Sequence, residues 1–117
     1  MTQSELLSTI SKESTLNEMQ EYIRKIFILR GIDEETISES MLMLLEETGE
    51  LAKAIRKSCT KMSVDVDKMG NYSTVESEVA DVFIVLVAIC NSLGINLFDA
   101  IVEKEKVNCE RKWSFER

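Results

Sequence analysis

The sequence predicts an all-α protein in which four main helices form a bundle, as a single domain spanning residues 1–117. Three observations predict this class. The 117 residues contain no proline and only four glycines, the alternation typical of strands is absent, and apolar residues recur at helical spacing. A chain of this length can bury one core, yet it is small enough to gain from burying more surface. We therefore expect oligomerisation to complete the core.

Each predicted helix begins after a side chain that can cap it. Residues 1–14 could be a tail or a short helix. The four main helices are predicted at about residues 16–30, 34–57, 74–94 and 97–111. Their predicted caps are, in the same order, Thr15, Asp33, Ser73 and Asn96. Thr15 with Glu18, and Ser73 with Glu76, fit capping boxes. Gly31 and Gly94 are typical of helix ends. The sequence thus predicts helix starts from caps and helix ends from glycines.

The segment between the second and third helices, residues 58–73, is roughly 16 residues long, which exceeds most helix–helix connections. It could be a lid over a site or a mobile surface loop. Residues 65–76 also match several positions of an EF-hand calcium loop, but Met69 stands where an oxygen ligand is required. We therefore regard a working calcium loop as a rival interpretation.

Composition and charge narrow the function classes. The net charge of −7 argues against binding nucleic acid through its phosphates. The three cysteines are widely spaced and predict free thiols in a reducing compartment. No signal peptide is recognisable, and the longest apolar run is about half a membrane span. We therefore expect a cytoplasmic protein that binds neither nucleic acid nor membrane.

Two acidic clusters are the most informative feature of the chain. The first reads Glu46-Glu47-x-x-Glu50, and the second reads Glu78-x-x-Asp81. Helical spacing places Glu47 with Glu50, and Glu78 with Asp81, on shared faces. Apolar residues flank both clusters, and antiparallel packing of the second and third helices would bring them level within about one turn. The sequence therefore predicts that four carboxylates converge between apolar helices.

Converging carboxylates indicate a bound cation. Two like charges 4 Å apart repel by about 4 kcal/mol at an effective dielectric of 20. The absence of histidine argues against typical zinc sites and against di-iron sites with a Glu-x-x-His motif. Hard cations with oxygen ligands remain, namely Mg²⁺, or else Mn²⁺ or Ca²⁺. The alternative is that the acids form an ordinary solvated face.

A basic cluster follows in the fourth predicted helix. Lys104, Asn108 and Arg111 have i, i+4, i+7 spacing and line one face. A lysine, an amide and a guanidinium in a row suit a polyphosphate, because Arg can make bidentate contacts. The alternative is a solvated face in which these bases pair with neighbours such as Glu103 or Glu105.

Taken in order, these three clusters resemble the all-α nucleoside triphosphate pyrophosphohydrolases, and specifically the MazG-like proteins. The family pattern is Glu-Glu-x-x-Glu, then Glu-x-x-Asp, then Lys-x-x-x-Asn-x-x-Arg. The resemblance extends from about Leu16 to Trp113. The chain departs from the pattern in its long gap between Glu50 and Glu78.

The resemblance implies a hydrolase that acts on an acid anhydride, converting an NTP or dNTP to the monophosphate and pyrophosphate. It implies Mg²⁺ held by Glu47, Glu50, Glu78 and Asp81. Glu46 would help to position or deprotonate water, and the triphosphate would contact Lys104, Asn108 and Arg111. It also implies a homodimer or homotetramer whose sites could draw on both subunits.

Other interpretations stay open. Some members resembling this chain act on phosphoribosyl-ATP, dUTP or dCTP. A non-catalytic helical interaction module would retain the apolar helices. Tyr72, Trp113 and Phe115 could stack on a base, although packing in the core or at the terminus is the alternative.

Overall fold

The computed structural model describes residues 1–65, 67 and 73–114, and these residues contain helices and no strand. The helices are α1 (Gln3–Leu7), α2 (Leu16–Leu29), α3 (Ile37–Cys59), α4 (Val75–Leu93) and α5 (Leu97–Glu110). The prediction of an all-α fold is confirmed. The leading segment, predicted as a tail or a short helix, forms the short helix α1.

Three helices begin with the same reciprocal motif. Thr2 with Glu5, Thr15 with Glu18, and Thr36 with Glu39 form capping boxes that start α1, α2 and α3. The box at Thr15 confirms the prediction. In each box, the threonine hydroxyl and the glutamate carboxylate each accept a backbone N–H that the helix itself leaves unpaired. These starts are therefore defined by short stretches of sequence.

Two other predicted starts are wrong. Asp33 does not cap α3; the residue three positions after it is Thr36, which cannot complete a capping box with it, whereas Thr36 has Glu39 three positions later. The Thr36 hydroxyl accepts the Glu39 N–H at 3.1 Å. Ser73 does not cap α4 either. The neighbouring Thr74 hydroxyl accepts the Ser77 N–H at 3.1 Å, so α4 begins one residue later.

The helix ends follow the glycine signals. Gly31 (φ +72°) and Gly94 (φ +68°) adopt the left-handed conformation after α2 and α4, where the absence of a Cβ removes the steric penalty. The Asn96 side chain caps α5 by accepting the Asp99 N–H at 2.9 Å, as predicted. However, α5 ends at Glu110, and Arg111 is extended (φ −79°, ψ 147°).

Helices α3 and α4 form the most extensive pair, while α2 packs on α4, and α1 and α5 pack on α2. Ser40 of α3 lines the same cleft as Asn91 of α4, whereas Glu47 lies beside Asp81. The two helices therefore run antiparallel, which is the condition under which the acids were expected to lie level. One cluster of the core comprises Ile23, Val87 and Ala88, and the partly buried residues packed against it are Tyr22, Phe27, Phe83, Ile84 and Leu97.

The apolar faces of α3 and α4 are only partly covered. On α4, Val79, Leu86 and Leu93 stay exposed at a seven-residue spacing, and on α3, Met41, Leu45 and Ile55 stay exposed, with Leu45 at 63%. In a single chain, these apolar residues therefore face solvent.

The long connection lies between Cys59 and Val75. Its residues 66 and 68–72 lie outside the described residues, so the lid and calcium-loop hypotheses fall largely outside them as well. In the described part, the Asp67 N–H donates to Asp65 Oδ1 at 3.0 Å.

No individual helix in the described part of the chain is long and apolar enough to cross a membrane. By length and composition, α4 and α5 pass that test only as a pair, bent by 97°.

Candidate metal and nucleotide site

Three of the predicted acids meet where α3 packs against α4. Glu47, Glu78 and Asp81 each have a carboxylate oxygen within 4.8 Å of the other two. Glu47 comes from the middle of α3, and the other two come from the first two turns of α4. The antiparallel packing brings them level, because the two helices share a connection and rise equally per residue. The predicted convergence is therefore present for these three carboxylates.

Glu78 is the most enclosed member of this group. Its side chain lies in the interior, and the residue is only 4% exposed. Its Oε2 atom is buried and has no hydrogen-bond partner within the described residues. A buried carboxylate oxygen without a partner is unfavourable unless a proton or a cation compensates it. The donor set therefore fits a hard cation, which would supply what Oε2 lacks.

The raised pKa of Glu47 also favours a bound cation. The pKa of the Glu47 carboxyl lies above its ordinary value, first because burial disfavours the charged form, and then because of the negative charges of Asp81, Glu78, Glu46 and Glu50. Repulsion among like charges and loss of hydration act in the same direction. A divalent cation at this position would reverse both effects.

The two remaining acids of α3 differ from these three. Glu50 is half-buried, and its carboxylate lies 3.7 Å from Lys53 Nζ, a long and partly exposed pair of small energetic weight. Glu46 is exposed. Both lie close enough to Glu47 to raise its pKa, but neither belongs to the group of three. The roles predicted for Glu50 as a ligand and for Glu46 at the water stay predictions.

The basic cluster lies apart from the acids within one chain. Helix α5 packs against α2 and buries none of its residues, whereas the acids lie between α3 and α4. Lys104 and Asn108 share a face of α5. Arg111 is the C-cap residue directly after Glu110, and its φ of −79° and ψ of 147° turn the chain that follows it out of the helix. Phosphate binding by all three residues stays a prediction.

The aromatic candidates are only partly described. Trp113 is 72% exposed, so it does not pack in the core of a single chain. Its indole Nε1–H donates to the Asn108 carbonyl at 3.1 Å, which ties the segment after α5 back to the helix. Tyr72 and Phe115 lie outside the described residues.

One residue outside these clusters makes contacts that no motif indicates. Gln20 is 9% exposed, and its carboxamide bonds the turn that joins α4 to α5. The signal in the sequence is slight: Gln20 is a polar residue among Leu16, Ile23 and Phe27 on α2, much as Glu47 interrupts the apolar face of α3.

Comparison with protein families decides the class of this chain. The family model for the MazG nucleotide pyrophosphohydrolase domain matches residues 35–112, which is well over half of the chain. The chain belongs to this family. Comparison with the curated proteins finds no match. The matched range contains the acids of α3 and α4 and the basic cluster of α5. A MazG domain is a nucleotide pyrophosphohydrolase domain by family, and the acids at its centre could bind a metal ion.

The match begins near the start of α3. Helices α1 and α2 therefore lie outside it, although the sequence resemblance was expected to begin near Leu16. Yet α2 supplies Ile23 and Ile26 to the interior and Gln20 to the turn before α5. The matched range thus packs against an N-terminal helix that lies outside it.

Proposed function

We propose that this protein hydrolyses a nucleoside triphosphate, either an NTP or a dNTP, to the nucleoside monophosphate and pyrophosphate in a Mg²⁺-dependent reaction. The observation that carries the proposal is the buried Oε2 of Glu78, which has no hydrogen-bond partner among the described residues, beside Glu47 and Asp81, within a domain of the MazG family. Membership of the family supports the reaction class. The acids support the requirement for a metal ion.

Mg²⁺ is the cation that these ligands suit best, with Mn²⁺ as a substitute. All the donors are carboxylate oxygens, and the chain has no histidine, so softer metals lack their usual ligands. We assign the metal to Glu47, Glu78 and Asp81, with Glu50 as a fourth ligand. Bound there, the ion would polarise phosphoryl oxygens and lower the pKa of a bound water.

The remaining side chains would hold the substrate and the nucleophile. Glu46 is exposed beside the cluster, so its carboxylate can accept a proton from a water that attacks phosphorus. Lys104 and Arg111 are exposed and cationic, and the Asn108 amide can donate hydrogen bonds. Together they would orient the triphosphate and offset its charge.

We further propose that the protein functions as a homodimer or homotetramer. Two observations support a second copy as the partner. The seven-residue stripe of α4 (Val79, Leu86, Leu93) leaves an apolar face exposed beside that of α3, and stripes of this kind pair helices into four-helix cores. Within one chain, α5 also packs on α2 and away from the acids. A partner copy could bring phosphate-binding side chains to them.

The net charge of −7 argues against a nucleic acid as the partner, because an acidic surface repels its many backbone phosphates, whereas the proposed metal ion would offset the charge of a single nucleotide. A nucleotide substrate and three free thiols are consistent with the cytoplasm, which we propose as the location.

The test is pyrophosphate release from a panel of standard and common non-standard NTPs and dNTPs, with Mg²⁺ and with EDTA. We expect monophosphate and pyrophosphate in equal amounts, and none after chelation. The ranking of substrates would identify the base and sugar, including any preference for dUTP or dCTP. No turnover with Mg²⁺ or Mn²⁺ would contradict the proposal and favour phosphoribosyl-ATP as substrate or a non-catalytic interaction module.

A further inference from the structure

We propose that Gln20 is a positioning residue, which fixes helix α5 relative to α4 and thereby orients the side chains of α5 toward the substrate. The inference rests on the proposed function in one respect, namely that α5 contacts the triphosphate. Its structural part rests on the hydrogen bonds of Gln20 alone.

The carboxamide of Gln20 uses both ends. Its Nε2 donates to Asn91 Oδ1 at 3.0 Å and to the Ile95 carbonyl at 2.7 Å, while its Oε1 accepts the Leu97 N–H at 3.0 Å. These partners are respectively the last turns of α4, the connecting turn and the first residue of α5. Only a side chain with two amide donors and one acceptor satisfies all three.

Two further contacts join α2 to the same α4–α5 corner, by which we mean residues 91–97. Asn91 Nδ2 donates to the Gln20 carbonyl at 3.3 Å, and Asn96 Nδ2 donates to Asn17 Oδ1 at 2.9 Å. The Leu97 N–H is one of the donors that a helix leaves unpaired at its start, so Gln20 completes the cap that Asn96 begins. Polar side chains of α2 therefore hold the α4–α5 corner from outside the matched MazG range.

The position of α5 depends strongly on this corner. Helix α5 packs against α2, and its first residue, Leu97, lies half-buried against the core, but α5 has no fully buried residue, so apolar burial fixes the helix beyond Leu97 weakly. Asn108 lies eleven residues beyond Leu97, about 16 Å at a rise of about 1.5 Å per residue, and a tilt of about 10° would move it by about 3 Å. A displacement of that size breaks a hydrogen bond to a phosphate.

The same helix connects the corner to the acids. Asn91 lies ten residues after Asp81 on α4, so both are parts of one rigid element. By binding Asn91 and Leu97 together, Gln20 fixes the angle at which α5 leaves the helix that carries Glu78 and Asp81. Its effect on the reaction would therefore act through α5, with no contact to the substrate itself.

The experiment compares Gln20→Glu with Gln3→Leu. Gln20→Glu keeps the shape of the side chain and its acceptor oxygen. It removes the two N–H donors and places a carboxylate against Asn91 Oδ1 and the Ile95 carbonyl oxygen. The second is the control, because Gln3 accepts a comparable long-range bond from Arg30 Nε (3.0 Å), away from α5. We expect Gln20→Glu to raise KM for the best nucleotide about tenfold or more, with a smaller change in kcat and unchanged Mn²⁺ binding. Gln3→Leu should change none of these.

Amide hydrogen exchange separates the two parts of the inference. In Gln20→Glu, exchange of the α5 amides should accelerate about tenfold while that of α3 and α4 stays unchanged. Unchanged exchange in α5, or an unchanged KM in an active enzyme, would overturn the proposal. A wild-type protein without turnover would refute the proposed function, and with it the effect on substrate, whereas exchange would still decide whether Gln20 holds α5.

A milder variant guards against global unfolding of Gln20→Glu. Asn17 is exposed, so Asn17→Ala leaves the core intact and removes only the bond to Asn96. We expect a rise in KM in the same direction, about threefold. If Gln20→Glu does not fold, an unchanged KM and unchanged exchange of the α5 amides in Asn17→Ala would overturn the proposal.

Discussion

The chain holds the acidic and the basic parts of the proposed site in different ways. Glu47, Glu78 and Asp81 meet between two helices that pack together along much of their length, and one carboxylate oxygen among them is buried without a partner in the described residues. Lys104 and Asn108 project from a helix with no buried residue, and Arg111 follows its end. Packing between α3 and α4 thus fixes the positions of the acids. The positions of the basic residues depend instead on the hydrogen bonds of Gln20 at the α4–α5 turn and on the proposed partner copy.

This difference suggests a division of work. Mutually repelling groups need rigid surroundings, because relaxation would let the charges separate and lose the metal site. Exposed cationic side chains that bind a flexible triphosphate need less rigid surroundings, since long side chains can adjust to their ligand. The following predictions test this comparison.

The largest effect is expected at the most enclosed acid. Glu78→Gln retains the size of the side chain but removes its charge, so kcat should fall at least about 100-fold, because a metal ligand is lost. Steady-state pyrophosphate release measures this. Glu76→Gln, an exposed change in the same first turn of α4, is the matched control. If Glu76→Gln alone abolished cation binding, the calcium-loop interpretation would replace the acid cluster.

Next in size is a change on the uncovered stripe of α3. Leu45 is 63% exposed in one chain, so Leu45→Glu should leave a single chain folded but place charges in an interface between copies. We expect dissociation to monomers in light scattering and about a tenfold fall in activity. Leu7→Glu, at an exposed position on α1, is the control and should change neither. A dimer that survived Leu45→Glu would exclude this face as the interface.

An effect of similar size, confined to KM, is expected on α5. Lys104→Ala removes one charge-assisted contact to phosphate, so KM should rise about tenfold while thermal stability and Mn²⁺ binding stay unchanged. The matched control is Lys106→Ala, because Lys106 already pairs with Glu103 at 2.9 Å on the exposed surface. Equal effects of the two substitutions would mean that general positive charge, rather than the face of Lys104, attracts the substrate.

The smallest predicted effect is a dependence of stability on pH. The pKa of Glu47 is raised in the folded protein, chiefly by burial, so the folded state binds this proton more tightly than the unfolded chain. Binding of this proton therefore stabilises the folded state at low pH. The stabilisation is lost as pH rises above about 4.5 and through the raised pKa. Without metal, the unfolding temperature should therefore fall as pH rises through this range.

Two comparisons check the pH prediction by thermal denaturation. Glu47→Gln should flatten the dependence, because the titrating group is gone. Added Mg²⁺ should stabilise the wild-type protein more at high pH, where the carboxylates are charged, than at low pH. A stabilisation by Mg²⁺ that did not change with pH would place the ion elsewhere.

The sequence predicted most of what depends on short spacing. The helical class, the capping box at Thr15, the Asn96 cap and the ends at Gly31 and Gly94 all follow from residues within four positions of one another. The start of α3 was missed because Asp33 and Thr36 are both good caps, and the choice depends on which has a glutamate three residues later. The start of α4 was missed because the same rule fails there: Ser73 has Glu76 three residues later, yet the adjacent Thr74 caps α4 by accepting the Ser77 N–H.

The candidate site could be predicted only in part. The proximity of Glu47, Glu78 and Asp81 was predictable from the sequence, because antiparallel packing of two connected helices leaves little freedom in register. The separation of α5 from them was not, since it is set by the 97° bend between α4 and α5 and by Gln20, seventy-one residues from Asn91 in sequence. A buried glutamine looks like any exposed one until its partners are known.

The packing of α2 on α4 has a consequence for folding. The contacts of Ile23 with Val87 and Ala88 join segments more than sixty residues apart, so they form late and close a large loop. The α3–α4 hairpin can form earlier from nearer contacts, but it would then expose the apolar surface that α2 later covers. A chain cut at the family boundary, residue 35, would lack α2 and would leave Val87 and Ala88 without the cover of Ile23. We expect such a chain to associate through this uncovered apolar surface.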